Sequence, residues 1–370
     1  MILDAEVVGA LAVLAGLRSM SRRRLAMILD VHHAVDALER IRSGAPLSPE
    51  VEPRADVRER LRAQASTVSV SRRASRCREA GVSVTVPGDG DYPDALISDP
   101  ERPAVLFFRG DPSVLADRRV GVVGTRNATA AGRATAADLG ARLAEAGVSV
   151  VSGLARGIDT ASHRGVLGSG PGRAVAVLGN GPDLAYPRSN RDLLDRLVEG
   201  HLVISEWPPG TPPEAFHFPL RNRVIAALSE VLVVVESRAS GGSLITAREA
   251  LERGVEVMAV PGSPRSPASE GANHLLRDGA APVTSVNDVL EVLSITPPVR
   301  VASPRRRPSS PLAQVLLDAC RDGPRSLDQL VSGAGAGGAP VALAVAELVR
   351  DGWLVDEAGW LEVAVSGLPP

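Results

Sequence analysis

The chain has 370 residues, 44% hydrophobic and 23% charged, which is enough for two or three domains with buried cores. Its 41 basic residues are all arginine, which excludes lysine chemistry such as a Schiff base or a Walker-type phosphate loop. The net charge of −2 excludes a uniformly basic nucleic-acid binder, and no apolar run reaches the roughly 18–20 residues of a membrane span.

The first elements read as helices. Ala5–Leu17 is apolar and Ala-rich, and Arg22–Leu29 and Ala34–Ile41 follow. Pro, Gly and Ser over 43–53 mark a turn, after which Arg54–Ala65 resumes a charged helix. These predict a helical domain over residues 1–70. The opening MILDAEVV carries acids where a signal peptide carries positive charge, and the two cysteines, Cys77 and Cys320, are far apart. A cytoplasmic protein is expected, with no metal site from cysteine spacing.

From Val82 short β-branched runs alternate with helical patterns. Val120–Val123 precedes a helix over 131–146, Ser149–Val151 one within 157–168, and Ala174–Leu178 one near 189–199. Leu202–Ser205 and Val231–Val235 continue the series, the latter ahead of a helix near 243–253, and Val255–Val260 is the next strand. Apolar strands alternating with helices predict an α/β fold, a Rossmann-like doubly wound parallel sheet over residues 75–295. Residues 296–311, rich in Pro, Ser and Arg, read as a linker. Residues 312–366 then read as three helices (Leu312–Cys320, Ser326–Val331, Pro340–Arg350) and a hairpin, the order of a winged helix.

Charge is uneven along this plan: +4 over 1–80, −1 over 81–309 and −5 over 310–370. A polyanion would have to meet the N-terminal segment or an arginine cluster in the middle. The third helix of the last unit, with Val341–Val349 mostly Ala, Val and Leu, lacks the side chains for base recognition, and with the −5 charge this points to a protein-contact or regulatory module.

Ligands of an open α/β sheet bind at the carboxyl ends of its strands. Those ends carry Gly124-Thr125-Arg126, Ser152-Gly153 with Arg156-Gly157, Asn190, Arg221-Asn222-Arg223 and Ser240-Gly241-Gly242-Ser243. Glycine admits an anion close to backbone N–H groups, a helix start adds its dipole, and arginine adds bidentate contacts. Five such loops suggest a row of phosphate subsites. Arg221-Asn222-Arg223 is read as opening a helix over Val224–Leu228, with its N–H groups facing the site. A dinucleotide fingerprint is absent, since neither G-x-G-x-x-G nor the ribose-binding acid follows the first strands.

Four of the nine aromatics, Tyr186, Trp207, Phe216 and Phe218, fall within 33 residues. Phe216 and Phe218 beside Arg221 and Arg223 suit base stacking on a single strand. His163 and His217 are expected to be structural, and Glu206 and Glu236 to pair with neighbouring arginines, leaving no catalytic constellation.

In order, Val123-Gly124-Thr125-Arg126, Ser152 to Asp159, Tyr186-Pro187 with Asn190, Phe218 to Arg223, Ser240 to Ala247 and Pro261-Gly262-Ser263 resemble the DNA-processing protein A family (DprA or Smf). The N-terminal helices look like that family's sterile-alpha-motif-like domain, and the C-terminal unit like its winged helix. The resemblance implies a non-enzymatic protein without cofactor that binds single-stranded DNA, forms a homodimer and loads the recombinase RecA during natural transformation. Arg126 and Arg156 would then hold phosphates, with Ser152, Gly153 and Gly157 as backbone donors. Asn190, Arg221 and Arg223 would extend the track, and Ser240 to Ser243 would form a further anion site. This sequence departs from the pattern at Ala131-Gly132, where an aromatic usually precedes the glycine, and in the extra glycine of Ser240-Gly241-Gly242-Ser243. The alternative is a nucleoside-monophosphate phosphoribohydrolase, whose P-G-G-x-G-T-x-x-E signature is approached by Gly241-Gly242, Thr246 and Glu249 with Ser240 in place of Pro. A protein scaffold with a vestigial pocket is a second alternative.

Overall fold

A computed structural model describes residues 3–49, 51–296, 308, 310–321, 323–357 and 359–363. Most of the expected linker over 296–311 and the end of the expected last domain, 364–366, lie outside the described residues. The chain divides into two compact units, Met1–Pro298 and Val299–Pro370.

The first unit starts with five helices: α1 (Ala5–Gly16), α2 (Arg22–Val31), α3 (Ala34–Ser43), α4 (Ala55–Ser66) and α5 (Val70–Glu79). Asp4 caps α1 by accepting from the N–H groups of Glu6 and Val7, and Ser21 caps α2. The expected boundary after residue 70 falls within α5, which packs on α1. Gly9 lies so close to the backbone of Val70 that a Cβ there would overlap it. The helices also share one core with Val82, Val105 and Phe107 at the edge of the sheet, so they are continuous with it.

The sheet follows. Its antiparallel edge is β1 (Ser83–Thr85) and β2 (Leu106–Gly110), with α6 (Asp94–Ile97) between them. β3 (Arg119–Val123), α7 (Ala130–Glu145), β4 (Ser149–Ser152), α8 (Ile158–Val166), β5 (Ala174–Leu178), α9 (Arg191–Val198) and β6 (Leu202–Ser205) come next. α10 (His217–Leu228), β7 (Val231–Val234), α11 (Gly242–Glu252), β8 (Glu256–Ala259), α12 (Glu270–Arg277), β9 (Ala281–Pro282) and α13 (Val286–Val292) complete the unit. The strand order is β1-β2-β6-β5-β4-β3-β7-β8-β9, and every pairing from β6 to β9 is parallel. The expected doubly wound sheet is therefore present, with two antiparallel strands added at one edge. Alternate residues of each strand feed opposite cores: Val120 and Val122 one, Val123 the other.

From β3 the chain builds one way through β4, β5 and β6, and from β7 the other way. The switch of direction lies between β3 and β7, and it opens a crevice at their carboxyl ends. α7 and α8 cover this region in close contact. Each buries a glycine against the other's backbone, Gly140 on the carbonyl of Ser162 and Gly165 on that of Ala137.

The second unit comprises α14 (Pro311–Arg321), β10 (Arg325–Ser326), α15 (Leu327–Gly333), α16 (Gly338–Arg350), β11 (Leu354–Glu357) and β12 (Trp360–Val363). The three strands form an antiparallel sheet in the order β10-β12-β11. A core of its own joins Leu316, Leu317, Val341, Leu348 and Leu354.

Candidate nucleic-acid interface

The crevice between β3 and β7 is a cleft of about 560 Å³. One wall is the turn after β3, Gly124-Thr125-Arg126. Thr125 N–H donates to the carbonyl of Glu236 after β7 (2.7 Å), which ties the two strand ends together. The Glu236 carboxylate accepts from the N–H of Thr129 (2.9 Å) and from its hydroxyl (2.6 Å), and that hydroxyl caps α7 at Gly132. Glu236 thus fixes the entry of α7 instead of pairing with an arginine as expected. It also explains Gly132, where a Cβ would collide with this carboxylate.

The opposite wall is the start of α11. Gly241 is its N-cap without a side-chain cap, and Ser240, Gly241, Gly242 and Ser243 all line the cleft. The first N–H groups of a helix lack internal partners, and the dipole makes such an end attractive to anions. The Ser243 hydroxyl is turned inward onto Ser237 (2.8 Å), so the site rests on backbone donors. Asn222 Nδ2 reaches the carbonyl of Gly242 at 3.4 Å across the cleft.

Arg126 stands exposed with its guanidinium 4.7 Å from the centre of the Phe218 ring, and Phe218 stacks on Tyr186 at 5.3 Å. All three line the cleft, as does exposed Arg238. Among the described residues, Arg126, Arg156 and Arg238 have no carboxylate partner. Tyr186 and Arg238 were not singled out from sequence as site residues. Tyr186 is visible in the sequence within the aromatic cluster and the Tyr186-Pro187 motif, and Arg238 lies in the loop just before Ser240, but neither position by itself marks a cleft contact.

Other expected site residues support the cleft from below. Ser152 is buried and donates to the carbonyl of Val122 (2.6 Å). Asn190 is buried too, holding the carbonyl of Leu154 (2.9 Å) and the Thr160 hydroxyl (2.8 Å). Gly157, with φ +81°, starts α8 where a Cβ would strike the carbonyl of Thr125. Gly153 is buried against the Arg221 guanidinium, and a side chain there would overlap it. Arg156 is exposed on the same loop, beyond the cleft lining.

The arginine motif of α10 requires correction. The helix begins at His217, so Arg221-Asn222-Arg223 lie within it and their N–H groups are engaged along the helix. Their side chains diverge. Arg221 is buried under the cleft floor and donates to the carbonyl of Val177. Burial pulls its pKa down to about 10, opposed by the nearby Asp159 carboxylate, which burial itself pushes up. Arg223 turns away from the cleft and forms a buried bidentate pair with Glu206 (2.8 and 2.9 Å). Phe216 also departs from the cleft. It is 60% exposed and faces a second cavity, while Phe218 two residues on faces the first.

The two histidines take structural places. His217 Nδ1 bonds the carbonyl of Gly179 (2.9 Å), and His163 is fully buried, its pKa pushed down to about 3 by desolvation. Glu249, the acid of the phosphoribohydrolase alternative, pairs with Arg253 at 2.6 Å and lines the second cavity. Among the described residues, no helix is long and apolar enough to cross a membrane, and no group of three or more His, Cys, Asp or Glu could hold a metal ion.

The family model described as DNA recombination-mediator protein A matches residues 83–294, the whole sheet of the first unit. The chain belongs to this family. Its DprA relative from Bacillus subtilis is 42% identical over 58% of this chain and 73% of that protein. The Streptococcus pneumoniae DprA is 43% identical over 55% of this chain and 71% of its own length. The solved DprA structure from S. pneumoniae superposes with a TM-score of 0.65 at 32% identity, covering 79% of this chain and 98% of that one. The DNA processing protein A of Helicobacter pylori, whose structure concerns its single-stranded DNA binding mode, matches with a TM-score of 0.52 at 25% identity, covering 57% of this chain and 95% of that one. The DprA assignment covers the elements that build the cleft, β3 to α11, so the geometry above belongs to the family's shared domain.

Proposed function

We propose that this member of the DprA family binds single-stranded DNA in the crevice between β3 and β7 and passes it to the recombinase RecA in recombination or natural transformation. The observation that carries the reading is the column of Arg126, Phe218 and Tyr186 facing the uncapped start of α11. A guanidinium and helix N–H groups suit phosphates, and an aromatic face suits an unpaired base. Arg156 at the rim and Arg238 extend the cationic line, while Arg221, Asp159, Ser152 and Asn190 hold the loops. Arg223 has no part in this track.

The reading is non-enzymatic. Glu236 is occupied in capping α7, Glu206 by Arg223 and Glu249 by Arg253, while Asp159 is buried beside Arg221. A homodimer in the cytoplasm and an acidic C-terminal unit serving protein contacts complete the proposal. An electrophoretic titration of the full chain tests it, with single- and double-stranded DNA and with and without RecA. Preferential retention of single strands, faster RecA assembly on them, and unchanged strand affinity for a chain ended at residue 296 are expected. Equal affinity for duplex, or no binding at low salt, contradicts it.

A further inference from the structure

A second, larger cavity of about 1450 Å³ lies beside the cleft, between the loop joining α1 to α2 and the first turn of α10. Pro219 and Ile245 line both cavities, so the two are neighbours across one ridge. Phe216 and Phe218 stand on opposite sides of that ridge.

The charges of this cavity do not balance. Its acids are mostly committed: Asp30 pairs with Arg102 (2.7 Å), Glu249 with Arg253 (2.6 Å), and Glu101 lies 3.5 Å from Arg253 and 3.8 Å from Arg223. Arg18, Arg22, Arg23 and Arg73 line the same space, and among the described residues none has a carboxylate within 4.0 Å. Against these four cations only Glu214 is left. Arg22 lies over Trp207, 4.4 Å from the ring centre, and otherwise makes one long contact, 3.4 Å to the carbonyl of Ala15. Phe216 lines the same cavity, largely exposed, with an edge contact to the His217 ring at 4.4 Å. Unpaired guanidinium groups and an exposed aromatic ring lining one cavity suit a ligand with phosphates and bases.

We propose that this cavity is a second strand-binding subsite, into which the single strand held in the β3–β7 cleft continues across the Pro219–Ile245 ridge. The inference rests on the strand-binding reading of the cleft. It gives the N-terminal helices a direct share in the DNA path, through Arg18, Arg22 and Arg23.

The test uses the full chain and oligothymidylates of about 6 and about 15 nucleotides, within the range of single-strand site sizes. Arg18 and Arg23 are exposed and bear no internal hydrogen bonds through their side chains, so the double variant Arg18→Ala/Arg23→Ala keeps the fold, checked by an unchanged melting curve. The account expects it to bind the longer oligomer about tenfold more weakly, with a salt slope lower by about 1.4 for two lost contacts, and the shorter one like the parent. Phe216→Ala is expected to weaken the longer oligomer only. If both variants bind the longer oligomer like the parent while Arg126→Ala weakens both lengths, the cleft reading stands and the second subsite is overturned, leaving the cavity to a protein partner. If Arg126→Ala changes neither length, the cleft reading fails and the extension with it.

Discussion

Arg126 and Arg223 share a residue type and a strand-end address, yet burial gives them different roles. Arg126 is exposed, unpaired and poised over Phe218. Arg223 is 8% exposed and locked to Glu206, itself 4% exposed. The motif around them was legible in the sequence, but the direction of each side chain was not. The sequence reading has Arg221-Asn222-Arg223 open a helix over Val224–Leu228. The helix in fact begins at His217, and Pro219 sits in its first turn, where a missing N–H costs nothing. That shift of about two turns moves the arginines from a helix start to a helix interior and sends their side chains to different cavities. The buried pair gives a prediction. Glu206→Ala leaves the Arg223 charge buried with only the exposed Glu101 nearby, 3.8 Å away, and is expected to lower stability by about 3 kcal/mol, measured by denaturant unfolding. Replacing both residues by apolar ones recovers most of that loss. A Glu206→Ala protein as stable as the parent would contradict the buried-pair account.

Among the elements, the alternation of apolar strands with helices was readable because parallel strands are buried on both faces and carry little polar interruption. Each expected strand from Val120 to Val260 is present within a residue or so. The antiparallel β1–β2 edge was not readable. Its runs are short, and its partner β6 lies about a hundred residues away in the chain. A shared hydrophobic core, equally non-local, joins the N-terminal helices to Val105 and Phe107 of the sheet edge, and it spans the expected boundary at 70 to 75. The contact of α7 with α8 is also invisible without coordinates, although it places the Arg126 and Arg156 loops side by side. Gly165→Ala tests it. The substitution gains about 1 kcal/mol of helix propensity, but its Cβ would meet the carbonyl of Ala137, and overpacking costs about 1–3 kcal/mol. We expect net destabilisation and weaker strand binding. Gly333→Ala in α15, where a Cβ meets nothing within 4 Å, is the control expected to be neutral or stabilising. Equal effects of the two substitutions on melting temperature would contradict close helix packing.

For the molecule as a whole, net charge was a poor guide. The −2 total conceals unpaired arginines along two adjoining cavities and an acidic C-terminal unit. Its buried histidines contribute to its response to acid. His163 has a folded pKa of about 3, below its unfolded value near 6.5, so the unfolded chain binds the proton first. Its stability is therefore full above about pH 6.5 and falls as pH drops toward 3, by as much as about 1.4 kcal/mol per pH unit. His201 and His217 are also lowered by burial and act in the same sense. Asp159, raised by burial, takes up its proton earlier in the folded state and offsets part of the loss at the acid end. Denaturation midpoints at about pH 7.5 and 5 should show the decline, and His163→Leu should flatten it. A midpoint that does not move with pH would contradict a neutral buried His163.

The central claim is that unpaired arginines at the strand ends hold the phosphates of a single strand. The most direct measurement is the salt dependence of single-stranded DNA affinity for the parent, Arg126→Ala and Arg156→Ala. Each neutralised phosphate contributes a slope of roughly −0.7 in log affinity against log salt. The account predicts that each variant binds more weakly and loses about 0.7 from the magnitude of the slope. Parent-like affinity and slope in both variants would contradict it.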